Sequence, residues 1–208
     1  MDDEKWFPRF AEIPGINYET PKNLEFAYLP GRGKTPEISY YDFDGKRRQS
    51  IMWKYGDIRS GASPAREWKT VSREGESEAS KLVRQIYEIL ELPGTLSDYH
   101  FALQRTHDDL NGFIGREAWI LTEIEKLCLL NARLLDTHPE TISYENDQGI
   151  HYFRVTALNK LIKLYETEGY LHDALEIAQI AVKFGYGDEV VDELENKIKL
   201  LEEEDNHV

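Results

Sequence analysis

The sequence predicts an α+β protein, and three observations carry that prediction. Composition changes near residue 73, a β-hairpin signature precedes the change, and helical periodicity follows it. The first 73 residues hold six of the eight prolines and three of the four tryptophans. Repeated Pro and Gly interrupt long elements. From residue 77 onward, Leu, Ile, Ala and Glu recur with the 3.6-residue period of amphipathic helices. The expected organisation is an irregular, β-containing region over 1–73 and a helical domain over 77–208. The polar stretch Ser72-Arg73-Glu74-Gly75-Glu76-Ser77 would join them.

Within the first region, residues 1–23 read as a loop anchored by Trp6, Phe7 and Phe10. Leu24 to Leu29 reads as a short strand. Glu37 to Phe43, rich in Tyr and Ile, is the best strand. Asp44-Gly45 follows at once, and such a pair between strand-like runs marks a tight turn that needs positive φ. Lys46 to Tyr55 is the return strand, with Ile51, Trp53 and Tyr55 alternating, so a hairpin is expected over 37–55. Ile58 to Ser63 reads as a Gly-containing loop and Arg66 to Val71 as a third strand.

The helical part opens at Ser77. Leu82, Val83, Ile86, Ile89 and Leu90 share one face, and Pro93-Gly94 ends that helix. Ser97 can cap the next helix, which ends at Asn111-Gly112. A long helix is expected from Ile114 to Thr137, its apolar stripe of Ala118, Leu121, Ile124, Cys128, Leu134 and Leu135 interrupted by Asn131. His138-Pro139 stops it, and residues 140–150 read as a connecting loop. Helices over 152–167, 171–184 and 188–204 follow, punctuated by Gly169, Gly185 and Gly187.

Charge and Cys content narrow the function classes. The chain of 208 residues carries 25 Lys/Arg and 39 Asp/Glu, for a net charge of −14. A surface that acidic repels phosphate and excludes coating of nucleic acid by the whole molecule. Residues 1–73 carry 13 basic and 11 acidic side chains, net +2, whereas 74–208 carry 12 and 28, net −16. One Cys excludes an intramolecular disulfide and a Cys-rich zinc site. Cys128, among leucines, reads as a buried structural thiol. No apolar run reaches the ~18 residues that span a bilayer. The acidic start, Met1-Asp2-Asp3-Glu4, is unlike a signal peptide. The expectation is a cytoplasmic protein with no membrane partner, its oligomeric state open.

One motif carries a resemblance. Val155, Leu158, Leu161, Ile162 and Tyr165 form one helical face, Gly169-Tyr170 a turn, and Ala174, Leu175, Ala178, Ala181 and Val182 the facing helix. Through Leu161, Tyr165, Gly169, Ala174 and Ala181 the segment 155–186 resembles a tetratricopeptide repeat, a helix–turn–helix unit of about 34 residues. It departs from that pattern at four positions. Leu158 stands where Trp is usual, Ile162 where a small residue is usual, Ala178 where an aromatic is usual and Tyr186 where Pro is usual. The pair would occupy 152–184, with 188–204 as a covering helix whose Val190, Val191, Leu194, Ile198 and Leu201 face inward. The resemblance implies a peptide or protein partner held in the groove lined by the first helix. Thr156, Asn159, Lys163 and Glu166 project there. Asn159 and Lys163, four residues apart, are neighbours suited to a backbone carbonyl and a carboxylate.

Other chemistry is thinly supported. His107-Asp108 on a helix, with His100 seven residues before, resembles the metal-ligand pair of one phosphohydrolase class, but the match is two residues long and a surface His beside helix acids is the better reading. Glu117, Glu123 and His138 could join such a cluster, and Glu204-x-x-His207 stands alone at the end. Gly31-Arg32-Gly33-Lys34-Thr35 lacks the first Gly of a phosphate loop, and Pro36 follows it. No Gly-x-Ser-x-Gly occurs. No metal, cofactor or catalytic residue is therefore assigned. The rival to groove binding is a nucleic-acid interface on the basic aromatic segment 40–69. There Lys46, Arg47, Arg48 and Lys54 would contact phosphates and Trp53 would stack on a base, beside Tyr40, Tyr41 and Trp68.

Overall fold

The structure is a computed structural model and describes residues 5–22, 24, 34–43, 45–146, 149–153 and 155–205. Helices and small antiparallel sheets make up an α+β protein. The chain divides into two compact units, Met1–Leu130 and Asn131–Val208. Residues on both sides of the composition change at residue 73 belong to the first.

In the first unit, β1 (Trp6–Phe7) is followed by a 3-10 turn, Phe10–Glu12. Next come β2 (Thr35–Phe43), β3 (Lys46–Tyr55) and β4 (Ile58–Ser60), which pair antiparallel in that order. The hairpin lies at its expected place, extended by two residues to Thr35. The third strand does not: it is Ile58–Ser60, paired with Trp53–Tyr55 across the two-residue turn Gly56-Asp57. The segment expected to supply it, Arg66–Val71, holds no strand and overlaps the end of α1 (Pro64–Glu67), which Ser63 caps by accepting from the Arg66 N–H while Pro64 takes the first turn. Capping and proline placement outweigh the β-propensity of the residues that follow. The expected strand over Leu24–Leu29 lies, beyond Leu24, outside the described residues.

Two helices form the base of this unit. The helix α2 (Glu78–Leu90) begins where its period was expected to begin, capped by Ser77, and β5 (Gly94–Thr95) pairs with β1. The cap of α3 (Leu96–Asn111) is Thr95 rather than Ser97: Thr95 Oγ1 accepts from the Asp98 N–H and the Asp98 carboxylate accepts from the Thr95 N–H, a reciprocal capping box. Then α4 (Trp119–Thr137) begins five residues later than its apolar pattern suggests, after Gly115 at φ +85°. The core gathers Phe10, Trp53, Ile86, Leu90, Tyr99, Leu103 and Leu127. Phe10 packs edge-on against Tyr18 and Tyr99, with ring centroids 5.6 and 5.4 Å away. The buried Glu91 carboxylate accepts from Arg9 at 3.2 Å and from Thr20, tying the N-terminal segment to the end of α2.

The second unit begins within α4. After a 3-10 turn, Pro139–Ile142, the chain forms a hairpin of β6 (Ser143–Asn146) and β7 (Gly149–Tyr152) where a loop was expected. Stacking of Tyr144 on His151, centroids 5.4 Å apart, supports the pairing. Because Tyr152 belongs to β7, α5 (Thr156–Glu168) starts four residues after the expected boundary. It is followed by α6 (Leu171–Val182) and α7 (Asp188–Asp205). Among the described residues, no helix is long and apolar enough to cross a membrane.

Candidate functional site

The face of α5 follows from its periodicity. Ala157, Leu158, Leu161 and Ile162 are buried, and α6 packs Ala174, Ile177, Ala178 and Ala181 within the same unit. Ile177 is buried where Leu175 was expected to lead; Leu175 is half-buried. At the turn, the Gly169 N–H donates to Glu166 O at 3.3 Å and the Tyr170 N–H to Tyr165 O at 2.8 Å, which closes α5 with Gly169 at φ +82°. The same bond pattern ends α6 at Gly185-Tyr186.

Thr156, Asn159, Lys163 and Glu166 then form a stripe at spacings of three and four residues, on the side of α5 away from its buried positions. Thr156, Asn159 and Glu166 are half-buried and Lys163 is exposed. Glu166 is not an open carboxylate: it accepts a hydrogen bond from Lys197 of α7. This bond links α7 to α5, while the packing of α7 is against α6. Leu194 of α7 is buried, whereas Leu201, expected inward, is 54% exposed. Tyr186 donates its hydroxyl to Val155 O at 3.1 Å, joining the end of α6 to the entry of α5. Neither this bond nor the Glu166–Lys197 pair has a local sequence signal, since each spans 31 residues.

The rival site on the β2–β3 hairpin is rearranged by the fold. Trp53 is 1% exposed and meets Trp6 edge-on at 6.0 Å, so its ring belongs to the core and is not presented to a base. Lys54 is bonded to Glu37. Arg47 lies 4.4 Å over the Tyr40 ring and Arg48 5.4 Å over the Phe43 ring. By the strand register these two cation–ring pairs lie on opposite faces of the ribbon. The side chain of Lys46 lies outside what is described.

A cleft of about 430 Å³ in the first unit is lined in part by Arg73, Glu76, Arg84, Tyr87, Glu123 and Lys126. Its central cation is satisfied by protein. Arg84 Nε donates to Glu76, Nη1 to Thr70 and Glu88, and Nη2 to Val71 O and Glu76. Hydrogen bonds from Arg84 hold the Glu76 carboxyl down to about 2. Burial, and the Glu123 carboxylate to which it donates, push the Tyr87 phenol up. The arrangement is a structural clamp of the segment before α2.

His107, expected at the surface beside its acids, is buried on α3, and so is His100. Among the described residues no group of three or more His, Cys, Asp or Glu converges to hold a metal ion. Cys128 is buried on α4. No family model matches the chain, and neither a curated protein nor a solved structure matches it.

Proposed function

We propose that residues 131–208 act as a protein-interaction module that takes a peptide or protein segment along α5. The observation that carries this reading is the division of α5 into two faces. One is spent on the α6 packing, and the other keeps Thr156, Asn159, Lys163 and Glu166 in line, with α7 linked to α5 by the Glu166–Lys197 bond. The tetratricopeptide resemblance implies a partner along this helix, and the stripe supplies polar groups for one. Asn159 offers an amide to an extended backbone, and Lys163 offers a cation to a carboxylate. Glu166 orients α7 and is not a direct contact.

The test is capture of partners from host lysate with the intact chain, at moderate salt and after nuclease, against the Asn159→Ala/Lys163→Ala variant. A defined protein retained by the parent and lost by the double variant is the expected result. Equal retention by both would remove the stated residues from the interface.

A further inference from the structure

The β2–β3 ribbon leaves backbone and side chains uncovered in a way the rest of the first unit does not. Its register runs from Thr35↔Lys54 to Phe43↔Lys46, yet β4 covers the far side of β3 only at Trp53–Tyr55. No described strand pairs with the outer edge of β3 from Lys46 to Met52. On β2, side chains of both faces are wet: Ile38, Tyr40, Tyr41 and Phe43 are 41–60% exposed, while Arg48 to Ile51 of β3 are half-buried. A two-stranded ribbon is marginal in water by itself. Two adjacent residues on β3, Arg48 and Gln49, also bury polar atoms, Nε and Oε1, for which no described group is a partner.

We propose that the outer edge of β3, residues 46–52, accepts an extended acidic peptide as an added strand, continuing the ladder that β4 begins. The occupant follows from charge and register. Arg47 and Arg48 place two cations toward one end of this edge, and Ile51 and Met52 place apolar side chains at the other. The matching segment is therefore acidic at one end and apolar at the other. Main-chain hydrogen bonds to the open edge supply affinity, and the alternate side chains supply selectivity. The β2 edge is the poorer acceptor: Pro36 lacks an N–H, and its charges, Glu37 and Asp42, are acidic. A single-stranded nucleic acid fits less well. The rings of Tyr40 and Phe43 lie on opposite faces, each under a guanidinium, so they form no continuous stacking platform.

The probe is a fluorescein-labelled seven-residue peptide with acidic residues at one end and β-branched apolar residues at the other, made in both orders. It is titrated into the full chain. One order should bind, and alternate N-methylation of that peptide should weaken it by ~tenfold or more, because methylation deletes the ladder donors. Arg47→Glu/Arg48→Glu should abolish binding, and Arg47→Lys/Arg48→Lys should retain it within about threefold. The lysine pair and the methylated peptide keep the test decisive if charge reversal unfolds the hairpin. Asn159→Ala/Lys163→Ala should bind like the parent, which separates this edge from the α5 site. The proposal is overturned by absence of binding at ~1 mM in either order. It is equally overturned by equal binding of the methylated peptide, by loss of binding in the α5 variant, or by salt-sensitive binding of a single-stranded oligonucleotide in place of the peptide.

Discussion

Lys197 Nζ of α7 donates to the Glu166 carboxylate of α5, a side-chain bond between two helices whose partners lie 31 residues apart in sequence. Both side chains stay partly exposed, at 48% and 37% of their full accessibility. Exposed pairs of this type set geometry more than stability. Lys197→Glu should therefore speed amide exchange across 188–205 and leave exchange in α6 unchanged. The global unfolding midpoint of Lys197→Ala should stay where it is. A cooperative loss of protection throughout 156–205 would show instead that the pair supports the whole unit.

Tyr186→Phe removes a hydroxyl that donates to Val155 O and leaves that carbonyl at the start of α5 without it. The expected cost is about 1 kcal/mol in urea unfolding, the usual net worth of such a bond. An unchanged midpoint would show that water replaces the phenol.

Gly187 has φ +108°, and a Cβ there would come within 3.2 Å of both Ala178 O and Ala181 Cβ. Backbone conformation and close approach to α6 both exclude a side chain. Gly187→Ala should destabilise by about 1–3 kcal/mol and lower the thermal midpoint. A midpoint equal to the parent's would mean that α7 shifts to make room.

Acid should release the clamp before α2. The Glu76 carboxyl titrates near 2 in the folded chain against an ordinary 4.5, so ionised Glu76 favours the folded state. That contribution is fully present above pH 4.5 and is lost as pH falls from there through about 2. Unfolding free energies of the parent and of Glu76→Gln, from denaturant titration, should differ by about 1–3 kcal/mol at neutral pH and converge in that acid window. A constant gap down to pH 2 would contradict the assignment.

Elements with local signals were legible from the chain itself. The 37–55 hairpin, the start of α2 after Ser77 and the bounds of α6 lie close to expectation because a turn dipeptide, an amphipathic period and punctuating glycines act over a few residues. The β6–β7 hairpin was read as a loop because its strands have only four residues each, too few for alternation to show. His107 was read as exposed from its acidic neighbours, but the fold turns it inward on α3. The α5 stripe was legible from spacing, whereas the engagement of its Glu166 was not.

By itself the sequence determined the α+β class, the helical periods of the second half and the acidic imbalance, since these depend on side-chain type and nearest neighbours along the chain. Only the tertiary structure decided that Trp53 is core while Tyr40, Tyr41 and Phe43 are surface, that Glu166 bonds to α7, and that no described strand pairs with β3 beyond Trp53–Tyr55. Each is an outcome of contacts between residues far apart in sequence. Burial and pairing at that range are set by which faces meet after the chain closes, and neither composition nor period records it.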